Sequence, residues 1–147
     1  TPYLPRGTLR EALAYPVLTD RFDDRAYVQA LERTGLGRYV KSLDENRRWD
    51  RELREDEQMA LAFARVALHA PDRVVFDDTF SAMEDETLER IIELLTHDLA
   101  RTTIIHIGRS AQAHLPLFKQ VLHLKKLEST ADKEEDWATK RARRRRR

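Results

Sequence analysis

Two adjacent carboxylates, Asp77 and Asp78, close the short run Arg73-Val74-Val75-Phe76. A β-rich run that ends in paired acids suits a nucleotide site. One carboxylate holds Mg²⁺, usually through water, and the other orients or deprotonates an attacking water. The alternative is that either Asp caps a following turn, and the pair alone does not decide between them. A second charged cluster, Arg54-Glu55-Asp56-Glu57-Gln58, stands just ahead of a long apolar stretch. His106 lies in the β-branched run Thr102–Ile107. The other histidines, His69, His97, His114 and His123, show no metal-ligand spacing and read as surface or edge residues.

These groups need elements to hold them. Thr8-Leu9-Arg10-Glu11 has the spacing of a capping box and predicts a short helix that Pro16 closes. Asp23 or Asp24 is placed to cap a second helix carrying Tyr27, Val28 and Leu31, with Gly35 positioned to end it in the left-handed conformation. Arg38–Asp50 is polar and carries no clear periodicity. Glu52–Asp56 is an acid-rich helix entry, favourable beside the positive end of the helix dipole, and Glu57–His69 is apolar nearly all round, which predicts a buried helix. Glu84–Leu99 sets Leu88, Ile91, Ile92, Leu95 and Leu99 at helical spacing behind three acids. Thr102–Ile107 is a second β-branched run. A helix candidate at Arg109–Leu117 then leads to a third run, Val121–Leu124. Strands and helices in alternation, with mostly unalternating apolar runs, predict a parallel sheet covered by helices. In such sheets ligands sit beyond the carboxyl ends of the strands, where Asp77 and Asp78 fall.

Composition narrows the class. The 147 residues are 36% charged and 41% hydrophobic, which excludes a chain disordered throughout. The longest apolar stretch, Met59–Leu68 with Arg65 inside it, is too short to span a bilayer. No cysteine occurs, so disulfides and thiolate metal sites are excluded. The net charge of +1 conceals an asymmetry: from Asp132 to Arg147 eight bases face four acids, leaving 19 bases against 22 acids in the rest. Lys140, Arg141 and the run Arg143–Arg147 are suited to attract nucleic acid or anionic lipid without any sequence code. A solvated tail is the reading preferred here, and nucleic acid is not expected as a partner.

The motifs, taken together, resemble ABC transporter ATPase domains. Pro2-Tyr3-Leu4-Pro5-Arg6-Gly7-Thr8-Leu9-Arg10-Glu11-Ala12-Leu13, then Tyr15-Pro16, looks like the segment just after the Q-loop. Trp49 and Leu53–Gln58, running into Leu61-Ala62-Phe63-Ala64-Arg65, fall where the family has its signature loop and helix. Val74–Asp78 is similar to the Walker B strand, Ser81-Ala82-Met83-Glu84 to the D-loop and Thr102–Ser110 to the switch strand. The resemblance is greatest to the permease-fused subgroup related to the peroxisomal fatty-acyl, SbmA/BacA-like and vitamin B12 transporters. Four motifs in unbroken order over Pro2–Leu124 are more specific than any one alone.

The resemblance implies a fold and a set of roles. The fold is α/β, a P-loop NTPase-like parallel sheet flanked by helices, expected only as its carboxyl-terminal half. No G-x-x-x-x-G-K-[ST] occurs in the chain, whose glycines are Gly7, Gly35, Gly37 and Gly108, and the family's P-loop and Q-loop glutamine lie upstream of the matched segment. Residues 1–127 are expected to be ATPase-like, with the helical signature region at about 8–69 and the Walker B, D-loop and switch region at about 70–127, followed by a charged tail at 128–147. ATP and Mg²⁺ are the implied cofactors. Asp77 is the implied Mg²⁺ ligand and Asp78 the catalytic carboxylate, with His106 the nearest histidine to the switch position. Arg54, Glu55, Asp56, Glu57, Gln58, Ser81 and Arg109 are the implied nucleotide-binding positions.

Several positions depart from the family pattern. Arg54 stands for the signature Ser and Asp56 for its Gly, adding bulk and negative charge where a phosphate is expected. Asp78 replaces the usual Glu, and an attacking water shifted by about an ångström costs on the order of 100-fold in rate. Glu84 stands for the D-loop Asp. Arg109, not His, follows Gly108, while His106 lies two residues before that Gly and is alternatively a buried structural histidine.

The function implied is that of part of an ABC transporter's ATP-binding domain. It would pair head to tail with a second ATPase domain and couple to a transmembrane permease at the cytoplasmic face of the inner or plasma membrane. The 147-residue chain alone is expected to be inactive. A catalytically dead scaffold, or a nucleic-acid or anionic-surface binder acting through the arginine tail, is the alternative.

Overall fold

Helix caps set out the first half of the chain as the spacing predicts. In the computed structural model, which describes residues 2–80, 83–108 and 116–124, strand β1 (Gly7–Thr8) leads directly into helix α1 (Leu9–Ala14). The Thr8 hydroxyl accepts from the Glu11 N–H at 3.1 Å, and the Glu11 carboxylate accepts from the Thr8 N–H at 2.7 Å, so two orphan amides are satisfied reciprocally. Asp23 caps α2 (Asp24–Arg33) by accepting from the Ala26 N–H at 2.8 Å, and Gly35, at φ 79°, takes the left-handed turn beyond it.

The stretch without periodicity, Arg38–Asp50, resolves into short pieces. A 3₁₀ turn covers Gly37–Ser42, β2 (Asn46–Arg47) pairs antiparallel with β1, and α3 (Trp49–Glu52) buries Trp49. Each piece is held by tertiary contacts, among them the Tyr39–Trp49 edge contact at 6.0 Å between ring centres.

Helix α4 (Glu55–His69) follows, then β3 (Arg73–Asp77), α5 (Asp85–Glu93) continuing into a π turn at Leu94–Asp98, and β4 (Thr103–Ile107). Two cores result. Leu9, Leu13, Tyr27, Leu31, Trp49, Leu61, Ala64 and Leu68 form a helical core, with α1 and α2 both packed on α4. Phe63, Phe76, Phe80, Ile91, Leu94, Leu95 and Leu99 form a second core beneath the sheet. Helix α4 contributes to both, which is why its sequence is apolar nearly all round.

Strands β3 and β4 are parallel, with Arg73 opposite Thr103 and Asp77 opposite Ile107. Val74, Phe76, Ile104 and His106 face the helices. Val75, Ile105 and Ile107 face outward and are 59%, 48% and 57% exposed. The expectation of a sheet wrapped by helices therefore holds for one face among the described residues.

The expected third strand at Val121–Leu124 is not formed. Those residues lie outside any strand, with Leu122 largely and Leu124 almost fully exposed. A run of four residues, three of them apolar, has no intrinsic strand stability without an edge to pair with. The helix candidate at Arg109–Leu117 falls mostly outside the described residues, as does the charged tail. No helix of the described residues is long and apolar enough to cross a membrane.

Candidate functional site at the end of β3 and the start of α4

The strand-end acids are presented by aromatic anchors on either side. Phe76 packs on Phe63 at 5.1 Å and on Phe80 at 5.4 Å between ring centres, fixing the inward face of the chain just before and just after the acids. Strand alternation then turns Asp77 outward, where it is exposed. Asp78 adopts φ 43°, a left-handed conformation that Asp tolerates better than most residues, while its N–H donates to the Ile107 carbonyl at 2.7 Å. The chain thus leaves the sheet at Asp78. The Thr79 hydroxyl donates to the Asp77 carbonyl at 3.2 Å and tightens the turn.

His106 belongs to the core side of the same strand pair. Its ring stacks on Phe118 at 5.3 Å and packs on Phe80 at 5.0 Å, and its Nε2 is buried with no hydrogen-bond partner among the described residues. Burial pushes its pKa below the ordinary histidine value, with the Asp78 and Asp77 charges opposing that shift. A neutral imidazole enclosed by aromatic rings matches the buried-histidine reading, and its side chain lies on the opposite face of β4 from the outward-facing Ile107.

The first turn of α4 divides its charges between inside and outside. Glu57 is 5% exposed: its carboxylate accepts from the Arg54 N–H at 3.0 Å and from the Tyr39 hydroxyl at 3.2 Å, and it pairs with Arg38. Gln58 is also buried and donates through Nε2 to the carbonyls of Asp50 at 3.1 Å and Leu53 at 3.0 Å. Both side chains hold their own loop together. On the outside, Arg54 Nη2 lies 2.9 Å from Asp56 Oδ2.

A groove of about 200 Å³ brings the two regions together, with Glu55, Asp56 and Met59 on one wall and Thr79, Met83, Glu84 and Thr87 on the other. Asp77 and Asp78 immediately precede Thr79 in this turn. Ser81 and Arg109 lie outside the described residues. A larger groove of about 500 Å³, between α2, the end of α4 and the π turn, takes none of the candidate residues.

Sequence reasoning left two residues without a role. Arg65 donates to the Ala12 carbonyl at 3.0 and 2.7 Å and to the Tyr3 carbonyl at 3.2 Å through both terminal nitrogens, pinning α4 to α1 and to the N-terminal segment. Burial lowers its pKa from the ordinary arginine value. The signal was an arginine inside an apolar helix, which must find acceptors. His69 is half-buried rather than superficial: its Nε2 lies 3.2 Å from the Leu13 carbonyl and its ring meets Phe22 edge-on.

No family model matches the chain. An uncharacterized ABC transporter ATP-binding protein of Haemophilus influenzae is 42% identical over 108 residues, which are 73% of this chain and 18% of that protein. The homologues of the present chain are ABC transporter ATP-binding proteins. A second Haemophilus protein of the same description is 32% identical over 107 residues, and the Escherichia coli inner membrane ABC transporter ATP-binding protein YddA is 29% identical over 111. The chain spans 18% and 19% of the length of these two relatives. Among solved structures, a bacterial Atm1-family ABC exporter with ATP bound superposes with a TM-score of 0.60 at 20% identity, over 75% of this chain and 20% of that one. The mixed helix and strand arrangement is therefore shared with an ABC exporter, and the parallel pair β3–β4 is consistent with part of an NTPase-like sheet.

Proposed function

We propose that this chain is the carboxyl-terminal half of the ATP-binding domain of an ABC transporter, of the permease-fused subgroup that its motifs resemble. Residues 1–127 form the ATPase part and 128–147 a charged tail. The whole domain binds ATP, pairs head to tail with a second ATPase domain and serves a transmembrane permease at the cytoplasmic face of a membrane. The observation that carries this reading is the presentation of Asp77 and Asp78 at the carboxyl end of a parallel strand, in a chain whose homologues are ABC transporter ATP-binding proteins.

Asp77 suits magnesium. It is an exposed hard oxygen donor of the kind that holds Mg²⁺ together with substrate phosphates. Magnesium, when bound, would neutralise phosphate charge. Asp77 would hold the cation beyond the strand end, and Asp78, in its left-handed turn, is directed by the main-chain bond to Ile107. Glu57 and Gln58 support the loop of Arg54 and Asp56 from within. Ser81 and Arg109 are assigned nucleotide contacts by motif position.

The test joins this chain to the upstream portion of its 42%-identical Haemophilus relative and measures Mg²⁺-dependent ATP binding. Binding is expected, and Asp77→Ala is expected to weaken its Mg²⁺-dependent part by about tenfold or more, the scale seen when a metal site loses a supporting group. Equal affinity with and without the Asp77 carboxylate would sink the assignment.

A further inference from the structure

We infer that the first turn of α4 excludes phosphate instead of receiving it, with Asp56 as the excluding group and Arg54 held upon it. The inference deepens the ABC reading and rests on it only for placing this loop where nucleotide would arrive.

An α-helix N-terminus ordinarily attracts anions, because its first amides are free and the dipole presents partial positive charge. Here the chain's own acids take that field. Glu55, Asp56 and Glu57 occupy the first turn in succession. The Glu57 carboxylate holds the Arg54 N–H at 3.0 Å and occupies Arg38, which removes one amide and one guanidinium from any ligand. Arg54, the remaining cation of the loop, sits 2.9 Å from Asp56 and 3.7 Å from Glu57.

The groove beside this turn has the same bias. Among the described residues its lining includes Glu55, Asp56 and Glu84 but no lysine or arginine, and the other described members, Pro2, Met59, Thr79, Met83 and Thr87, are uncharged. A phosphate entering it would meet carboxylates on both walls. An exposed ion pair such as Arg54–Asp56 is individually weak, so the exclusion comes mainly from the Asp56 charge and only secondarily from the engagement of Arg54. That ordering separates the two residues experimentally.

Tripolyphosphate, without metal, is titrated into the 147-residue chain while the amide signals of Glu55–Gln58 are followed by NMR. The wild-type chain is expected to show no saturable shift at millimolar concentration. Asp56→Asn is expected to give a saturable shift, at least about tenfold tighter than the limit set by wild type, and adding Arg54→Ala is expected to weaken that binding about threefold, the sizes of one dominant and one weak charge effect. Saturable wild-type shifts at these amides overturn the inference, and so does an Asp56→Asn chain that binds no better. If Asp56→Asn does not fold, Asp56→Gly carries the same expectation. If neither folds, the wild-type titration decides.

Failure here is distinguishable from failure of the ABC reading. If Asp56→Asn gains tripolyphosphate while Asp77→Ala leaves ATP binding in the joined protein unchanged, the reading falls and the exclusion stands. The reverse pattern removes the exclusion alone.

Discussion

The helical core and the sheet core are built from similar side chains, but only the first is closed. In the helical core Leu13, Tyr27, Leu31 and Leu61 have no measurable exposure, and caps at Thr8 and Asp23 satisfy the helix starts around them. The sheet core buries Phe76, Phe80, Ile91 and Leu95 on one side of β3–β4, while Val75, Ile105 and Ile107 stand in solvent on the other. Parallel sheets are ordinarily covered on both faces. Among the described residues, then, the helical core is enclosed on all sides while the sheet core keeps one apolar face exposed. The candidate site lies at their seam, where α4 begins and β3 ends.

Mutations that act differently on the two regions test this contrast. The largest effect is expected from Leu61→Ala, which removes a fully buried side chain from the closed core and should cost about 2–5 kcal/mol in urea unfolding. A loss below about 1 kcal/mol would mean that the helical core is loosely packed. A smaller effect is expected on the acid side from His106. Its folded pKa is depressed by burial, so the unfolded chain takes up the proton first as pH falls. Stability is therefore full above the ordinary histidine value of 6.5 and declines as pH drops through it toward the lower folded value. His106→Leu should flatten that decline, and an unchanged pH profile would remove His106 from the aromatic cage. The smallest effect is expected from Ile105→Thr on the open sheet face, within about 0.5 kcal/mol by the same unfolding assay. A loss of several times that size would show that the face is already covered.

Much of the helical half is legible in the sequence because its signals are local. The Thr8–Glu11 spacing, the Asp23 cap, the Gly35 turn and the apolar run of α4 each depend on residues a few positions apart. The strand-end acids are legible for the same reason, since alternation from the buried Phe76 places Asp77 outward. What was not legible depends on distant partners. Glu57 and Gln58 are implied nucleotide-binding positions, and no local spacing announces that their bonds run inward to Tyr39, Asp50 and Leu53. Val121–Leu124 has the composition of a strand, but a strand also requires an edge, and composition does not report one. His106 alternates as predicted, and the Phe80 and Phe118 rings that enclose it come from segments whose approach no spacing rule specifies.

The seating of α4 has a mechanical consequence. A helix of 15 residues is about 22 Å long. This one is gripped about a turn from its C-terminal end by Arg65 on the carbonyls of Ala12 and Tyr3, and it sends Phe63 into one core and Leu61, Ala64 and Leu68 into the other. The helix is thus tied along its length to the helical core, and its far end is fixed there too, where His69 rests against the Leu13 carbonyl and Phe22.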